Sequence, residues 1–206
     1  MTKIKLCGLS RREDIETANA LRPDYVGFVF APGSSRRVAP ARAAQLKAAL
    51  DPAIQAVGVF VDEELETVVR LLETGVIDLA QLHGREDDEY LRALRARTGR
   101  PVIQAIRVSG PADLERAAAS PADHLLLDAG AGTGTTFTWS LLEGFRRPYF
   151  LAGGLTPENV VRAVASVHPW GVDVSSGLET GGKKDPEKMK AFVAAVRRAE
   201  GKERQR

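Results

Sequence analysis

Residues 149–178 read YFLAGGLTPENVVRAVASVHPWGVDVSSGL. The segment opens on a short apolar run, residues 149–152, stopped by Gly153 and Gly154. Residues 157–167 then carry apolar side chains at helical spacing, with Thr156 as a candidate N-cap and Pro157 in the first turn. A second apolar run, residues 172–174, stops at Ser175-Ser176-Gly177. A strand, a helix and another strand thus follow one another through short loops. The same texture extends in both directions. Apolar runs recur at residues 4–7, 25–30, 56–61, 79–82, 102–108 and 125–127, most of them rich in β-branched or aromatic residues. They read as strands buried on both faces. Between them, DEELETVVRLLET at 62–74 puts Leu65, Val68, Val69 and Leu72 on one helical face, and residues 186–198 repeat the pattern behind Asp185 as N-cap.

The expected strand ends fall near residues 7, 30, 61, 83, 107, 128, 153 and 175, at intervals of 23, 31, 22, 24, 21, 25 and 22. One strand, one helix and two short loops need about that length. Eight such units predict an α/β protein of one domain over residues 1–206, a (β/α)8 TIM barrel with a charged tail fraying from about residue 200. An open doubly wound sheet is the competing architecture. The weak unit is the sixth, where the helical stretch 139–145 is short and follows a glycine-rich loop.

Composition narrows the function classes. Twenty-nine Lys and Arg against 27 Asp and Glu leave a net charge of +2, too balanced to suggest nucleic acid or a membrane surface as partner. A single cysteine, Cys7, excludes an internal disulfide framework and fits a reducing compartment, so a cytoplasmic location is expected. No apolar run is long enough to span a bilayer, and the N-terminus lacks the features of a signal peptide.

If the strands are parallel, their C-terminal ends converge on one face, where barrel enzymes hold their active sites. Those ends carry Cys7, the loop from Phe30 to Arg36, Gln81 and His83, Asp128, Gly153-Gly154 and Ser175-Ser176-Gly177. Glycine loops after strands seven and eight suit an anion, because the backbone can approach it closely. Cys7 and Asp128 form a candidate acid–base pair, for which the thiol should be shifted down and the carboxyl up. His83 is either a base or a structural residue. The loop at 31–37 offers two arginine forks, Arg36 and Arg37. The stretch GAGTGTT at 130–136 lacks the lysine of a nucleotide-binding loop and reads as a flap beside the site. His83, His124 and His168 lack ligand spacing, so no metal site is expected.

At these residues the chain resembles the phosphoribosylanthranilate isomerase family of tryptophan biosynthesis. The resemblance is carried by KLCGLS at 5–10, GFVFAPGSSR at 27–36, QLHG at 81–84, LLLD at 125–128, GTGTTFTW at 132–139, AGGLTPENV at 152–160 and GVDVSSGLE at 171–179. It implies a (β/α)8 barrel and an Amadori rearrangement of N-(5-phosphoribosyl)anthranilate to 1-(2-carboxyphenylamino)-1-deoxyribulose 5-phosphate. It further implies Asp128 as general acid, Cys7 as the base at C2′, Arg36 on the anthranilate carboxylate and Asp173 accepting from the anthranilate nitrogen. Gln81 and His83 would line the substrate site. Gly153, Gly154, Ser175, Ser176 and Gly177 would bind the phosphate. Proton transfers alone are needed, so no cofactor is expected; the partner is a small phosphorylated substrate, and the chain is a monomer or a homodimer. The sixth loop departs from the family pattern, with Thr135 in place of a basic residue and Thr138 in place of Asp. The alternatives are another phosphosugar isomerase or epimerase on the same barrel, such as the histidine-pathway isomerase, and a barrel that only binds a phosphorylated aromatic ligand.

Overall fold

The computed structural model describes residues 1–129 and 139–203. Strands β1 (Lys3–Cys7), β2 (Tyr25–Val29), β3 (Gln55–Phe60), β4 (Leu79–Leu82), β5 (Val102–Arg107), β6 (His124–Asp128), β7 (Tyr149–Ala152) and β8 (Gly171–Val174) close into a barrel in sequence order. Every neighbouring pair is parallel, and β1 pairs with both β2 and β8. Helices α1 (Arg12–Leu21), α2 (Pro40–Ala48), α3 (Leu65–Glu73), α4 (Asp88–Thr98), α5 (Pro111–Ala119), α6 (Val160–Val167) and α7 (Pro186–Glu203) cover the outside. The closed order rules out the open sheet. In the sixth unit a single 3-10 turn, Trp139–Leu142, stands where the longer helix would be, and the expected flap with Thr135 and Thr138 lies outside the described residues.

Alternation along each strand makes two cores. In β1, Ile4 and Leu6 belong to the layer between sheet and helices, while Lys3, Lys5 and Cys7 point the other way, into the barrel. Inside, Tyr25, Val57, Leu79, Ile103, Leu126 and Phe150 fill one end. Phe150 meets Tyr25 edge to face at 5.4 Å and Trp170 at 4.9 Å between ring centres, which plugs the end where the strands begin. The polar inward residues are left to the opposite mouth.

Three local expectations change. Helix α3 starts at Leu65, not at residue 62, because Asp62 sits at φ +49° and breaks the run. Helix α6 starts at Val160: Asn159 Oδ1 accepts from the Thr156 amide at 2.9 Å and its Nδ2 donates to the Gly154 carbonyl at 2.9 Å, so residues 156–159 form a locked loop. Thr156 is therefore not the N-cap, whereas Asp185 does cap α7, its Oδ1 accepting from the Glu187 amide at 2.9 Å. A hairpin absent from the sequence expectation, β9 (Glu179–Thr180) and β10 (Lys183–Lys184), turns through Gly181 and Gly182. Both glycines have positive φ, +59° and +74°, as a two-residue hairpin turn requires.

Candidate active site

Cys7 ends β1 inside the barrel, 6% exposed, against Val29, Ala31 and Val59. Two glycines make its place. A Cβ at Gly27 would lie 2.7 Å from the Cys7 sulfur, and a Cβ at Gly8 would lie 2.6 Å from Arg36 Cδ. Across the barrel, Leu126 faces inward and Leu127 outward, so Asp128 at the end of β6 faces inward again. His83 Nε2 lies 3.6 Å from Asp128 Oδ2, and Gln81 Nε2 lies 3.4 Å from His83 Nδ1. Gln81 is buried, and its Oε1 has no hydrogen-bond partner. A donor from Gln81 to Nδ1 would leave the imidazole proton on Nε2, toward Asp128.

The β2–α2 loop carries Arg36 over the mouth. It is pinned back onto β2 where the Val38 amide donates to the Val29 carbonyl at 2.8 Å. Arg37 is exposed. The Arg36 fork is filled: Nε and Nη2 donate to the two carboxylate oxygens of Glu179 at 2.6 and 2.7 Å. Lys184, almost fully buried, donates to Glu179 Oε1 at 2.7 Å and to the Ser175 carbonyl at 2.9 Å. These bonds, the Arg36 bond foremost, hold the Glu179 carboxyl down at about 2. Burial lowers Lys184, with Glu179 working against it.

Asp173 is engaged in an ion pair inside the barrel. Its Oδ1 receives a 2.7 Å hydrogen bond from Lys5 Nζ, whose side chain is fully buried. Lys5 is fixed opposite it by the register of β1 against β8. Burial works to strip the Lys5 proton, but Asp173 and Cys7 hold it above the ordinary lysine value. The expected downward shift of the thiol is corrected as well. Burial pushes Cys7 above its ordinary value, and the opposing influence of Lys5 and Lys184 falls short of cancelling it.

Loops seven and eight stand together at the mouth, beside β1 in the closed strand order. Gly153 and Gly154 take φ +97° and +63°. A 3-10 turn, Ser176–Leu178, follows Ser175, and a Cβ at Gly177 would fall 2.0 Å from the Leu155 carbonyl oxygen. Only glycine lets the two backbones pack this closely. Gly154 and Ser176 are exposed; Gly153, Ser175 and Gly177 are half-buried. Thus Cys7, Arg36, Asp173 and Ser175 fall into one connected group, with Gln81, His83 and Asp128 in a second. Lys5, Glu179 and Lys184 were missed. Lys5 was legible in principle, since it stands two residues before Cys7 in a strand and so shares its face. Glu179 and Lys184 reach the site only through the hairpin.

A closed parallel barrel whose ionisable inward side chains gather at the strands' C-terminal ends defines the class: a (β/α)8-barrel enzyme. The model of the N-(5'-phosphoribosyl)anthranilate (PRA) isomerase family matches residues 4–195, and the chain belongs to that family. It is 45% identical over 202 residues to N-(5'-phosphoribosyl)anthranilate isomerase of Endomicrobium trichonymphae, covering 96% of this chain and 99% of that one. A crystal structure of phosphoribosyl anthranilate isomerase in complex with reduced 1-(o-carboxyphenylamino)-1-deoxyribulose 5-phosphate superposes with a TM-score of 0.87 at 39% identity, covering 96% and 99% of the two chains. Monomers of the dimeric enzyme of Thermotoga maritima superpose at 0.86 with 38% identity and the same coverage. Among the described residues no helix is long and apolar enough to cross a membrane.

Proposed function

We propose that the protein is the aldose–ketose isomerase of tryptophan biosynthesis that converts N-(5'-phosphoribosyl)anthranilate to 1-(2-carboxyphenylamino)-1-deoxyribulose 5-phosphate in the cytoplasm. The observation that carries this reading is the pair Cys7 and Asp128, on separate strands and both turned into one mouth. Asp128 protonates the furanose oxygen, and the ring opens to an iminium. Cys7 takes the C2′ proton, and the resulting enolamine tautomerises to the ketone. Protons given and taken balance, so the reaction is a net isomerisation. His83, donating from Nε2, steadies the Asp128 carboxylate left after proton donation. The glycine backbones of loops seven and eight receive the phosphate. Arg36 receives the anthranilate carboxylate, which must share or displace the Glu179 contact.

The test is the loss of substrate fluorescence with purified protein, run beside the histidine-pathway phosphoribosyl substrate. Cys7→Ser and Asp128→Asn should each lower kcat by at least about 10²-fold, the usual worth of a general acid or base. Losses below about threefold in both would defeat this mechanism. A dimer like that of the Thermotoga relative is a further expectation, checked by sedimentation.

A further inference from the structure

We propose that Lys5, clamped by Asp173, is the positioning residue whose charge stabilises the thiolate form of Cys7 through which the base must act beneath the substrate. The proposal rests on Cys7 being the base of the reaction above. Lys5 and Cys7 are two residues apart on β1 and share its inward face. The Lys5 side chain is fully buried in the barrel, where an apolar side chain of similar length would avoid the desolvation of an ammonium. Its Nζ contacts Asp173 at 2.7 Å, and its charge works on the Cys7 sulfur against the effect of burial.

The charges around the sulfur come from four directions. Lys5 is on β1, Asp173 on β8, Arg36 on the β2–α2 loop, and Glu179 with Lys184 on the hairpin. Val29, Ala31 and Val59 close the remaining sides and are apolar. Three cations thus face two carboxylates. With Cys7 as a thiol the cluster keeps one surplus positive charge; with Cys7 as a thiolate it is neutral. Burial alone favours the thiol, so the charged form depends on these cations, Lys5 before Lys184. In the step itself the C2′ proton moves to the sulfur. The C–H electrons form the C1′–C2′ double bond, and the iminium pair returns to nitrogen. Lys5 keeps its proton throughout and exchanges none with the substrate.

Cys7 is the single cysteine of the chain, so the ultraviolet absorbance of the thiolate during a pH titration, and the rate of alkylation by iodoacetamide, report on this sulfur alone. Lys5→Met should raise the titration midpoint by about one pH unit or more, the effect of removing a neighbouring opposite charge. Alkylation at neutral pH should slow about tenfold or more as the thiolate fraction falls. Asp173→Asn keeps the ammonium and removes its carboxylate, so it should lower the midpoint. The acidic limb of kcat against pH should follow the midpoint in each variant. Opposite shifts support the assignment, because loosened packing would not move the two variants in opposite directions. An unchanged midpoint in Lys5→Met, or shifts of the same sign in both, overturns it. If Lys5→Met does not fold, Asp173→Asn decides alone: a midpoint that stays or rises overturns the proposal. The titration needs no substrate, so a protein that fails to isomerise would sink the functional reading separately from this one.

Discussion

Gly177→Ala probes the phosphate loops with a displacement that can be read from the structure. The added methyl would sit 2.0 Å from the Leu155 carbonyl oxygen, where about 3.0 Å is the closest approach real Cβ atoms make. Leu155 lies between Gly154 and Thr156, both bonded by the Asn159 side chain, and has little room to retreat. One of the two loops must therefore move by roughly 1 Å, a misplacement that can cost on the order of 10²-fold in catalysis. Losing even one hydrogen bond to a charged group costs about 1.5–3 kcal/mol. At 1.4 kcal/mol per factor of ten, that is roughly a 12- to 140-fold rise in KM for the phosphorylated substrate. Inorganic phosphate should weaken as a competitive inhibitor by a similar factor. Gly99→Ala is the control. Gly99 caps α4 at φ +63°, with nothing within 4 Å of the added Cβ. It carries a left-handed strain of about 1–2 kcal/mol, seen as a lower Tm, but it lies at the barrel end away from the mouth and should leave KM alone. If Gly177→Ala folds and keeps both KM and phosphate inhibition, loops seven and eight do not hold the phosphate.

Gly27→Ala places a methyl 2.7 Å from the Cys7 sulfur, so kcat should fall by about tenfold or more, with KM less affected; steady-state kinetics that match the parent protein would show that the thiol position is not critical. Arg36→Ala removes the fork proposed for the substrate carboxylate, and KM should rise roughly 10- to 100-fold at a nearly constant kcat, in line with one or two charged hydrogen bonds; an unchanged KM would remove Arg36 from the substrate site. Glu179→Gln tests the pair from the other side. The carboxyl of Glu179 is held down at about 2, so its stabilisation is complete above the ordinary glutamate value of 4.5 and is lost as pH falls from there toward 2. Denaturant midpoints followed through that window should drop more steeply for the parent protein than for Glu179→Gln, and parallel curves would show that the pair contributes nothing to stability.

The barrel was legible because its signal is repeated. Eight apolar runs at a steady spacing, each stopped by glycine or a polar group, leave little choice but parallel strands joined by helices, and the closed order β1 to β8 agrees. The ends of those runs also located Cys7 and Asp128, since strand alternation settles which way an end residue faces. What stayed hidden is what alternation does not encode. The helix expected from residue 157 begins only at Val160, because Asn159 spends its side chain on the loop rather than letting Pro157 start the helix. The partners of Arg36 and Asp173 were missed for a related reason. Both are expected to meet substrate, and each also pairs with a residue that folding delivers from elsewhere: Glu179 on the Gly181-Gly182 hairpin, 143 positions along the chain, and Lys5 across the β1–β8 seam, 168 positions away. That seam is where a linear reading fails most completely, since closing the barrel makes neighbours of its first and last strands. The consequence is chemical. A thiol judged from its own stretch, KLCG, looks like a small buried hydrophobe, and burial alone would keep it protonated. Barrel closure and the hairpin surround the same thiol with one more cation than carboxylate, and the base role proposed for Cys7 rests on this charge balance working against burial.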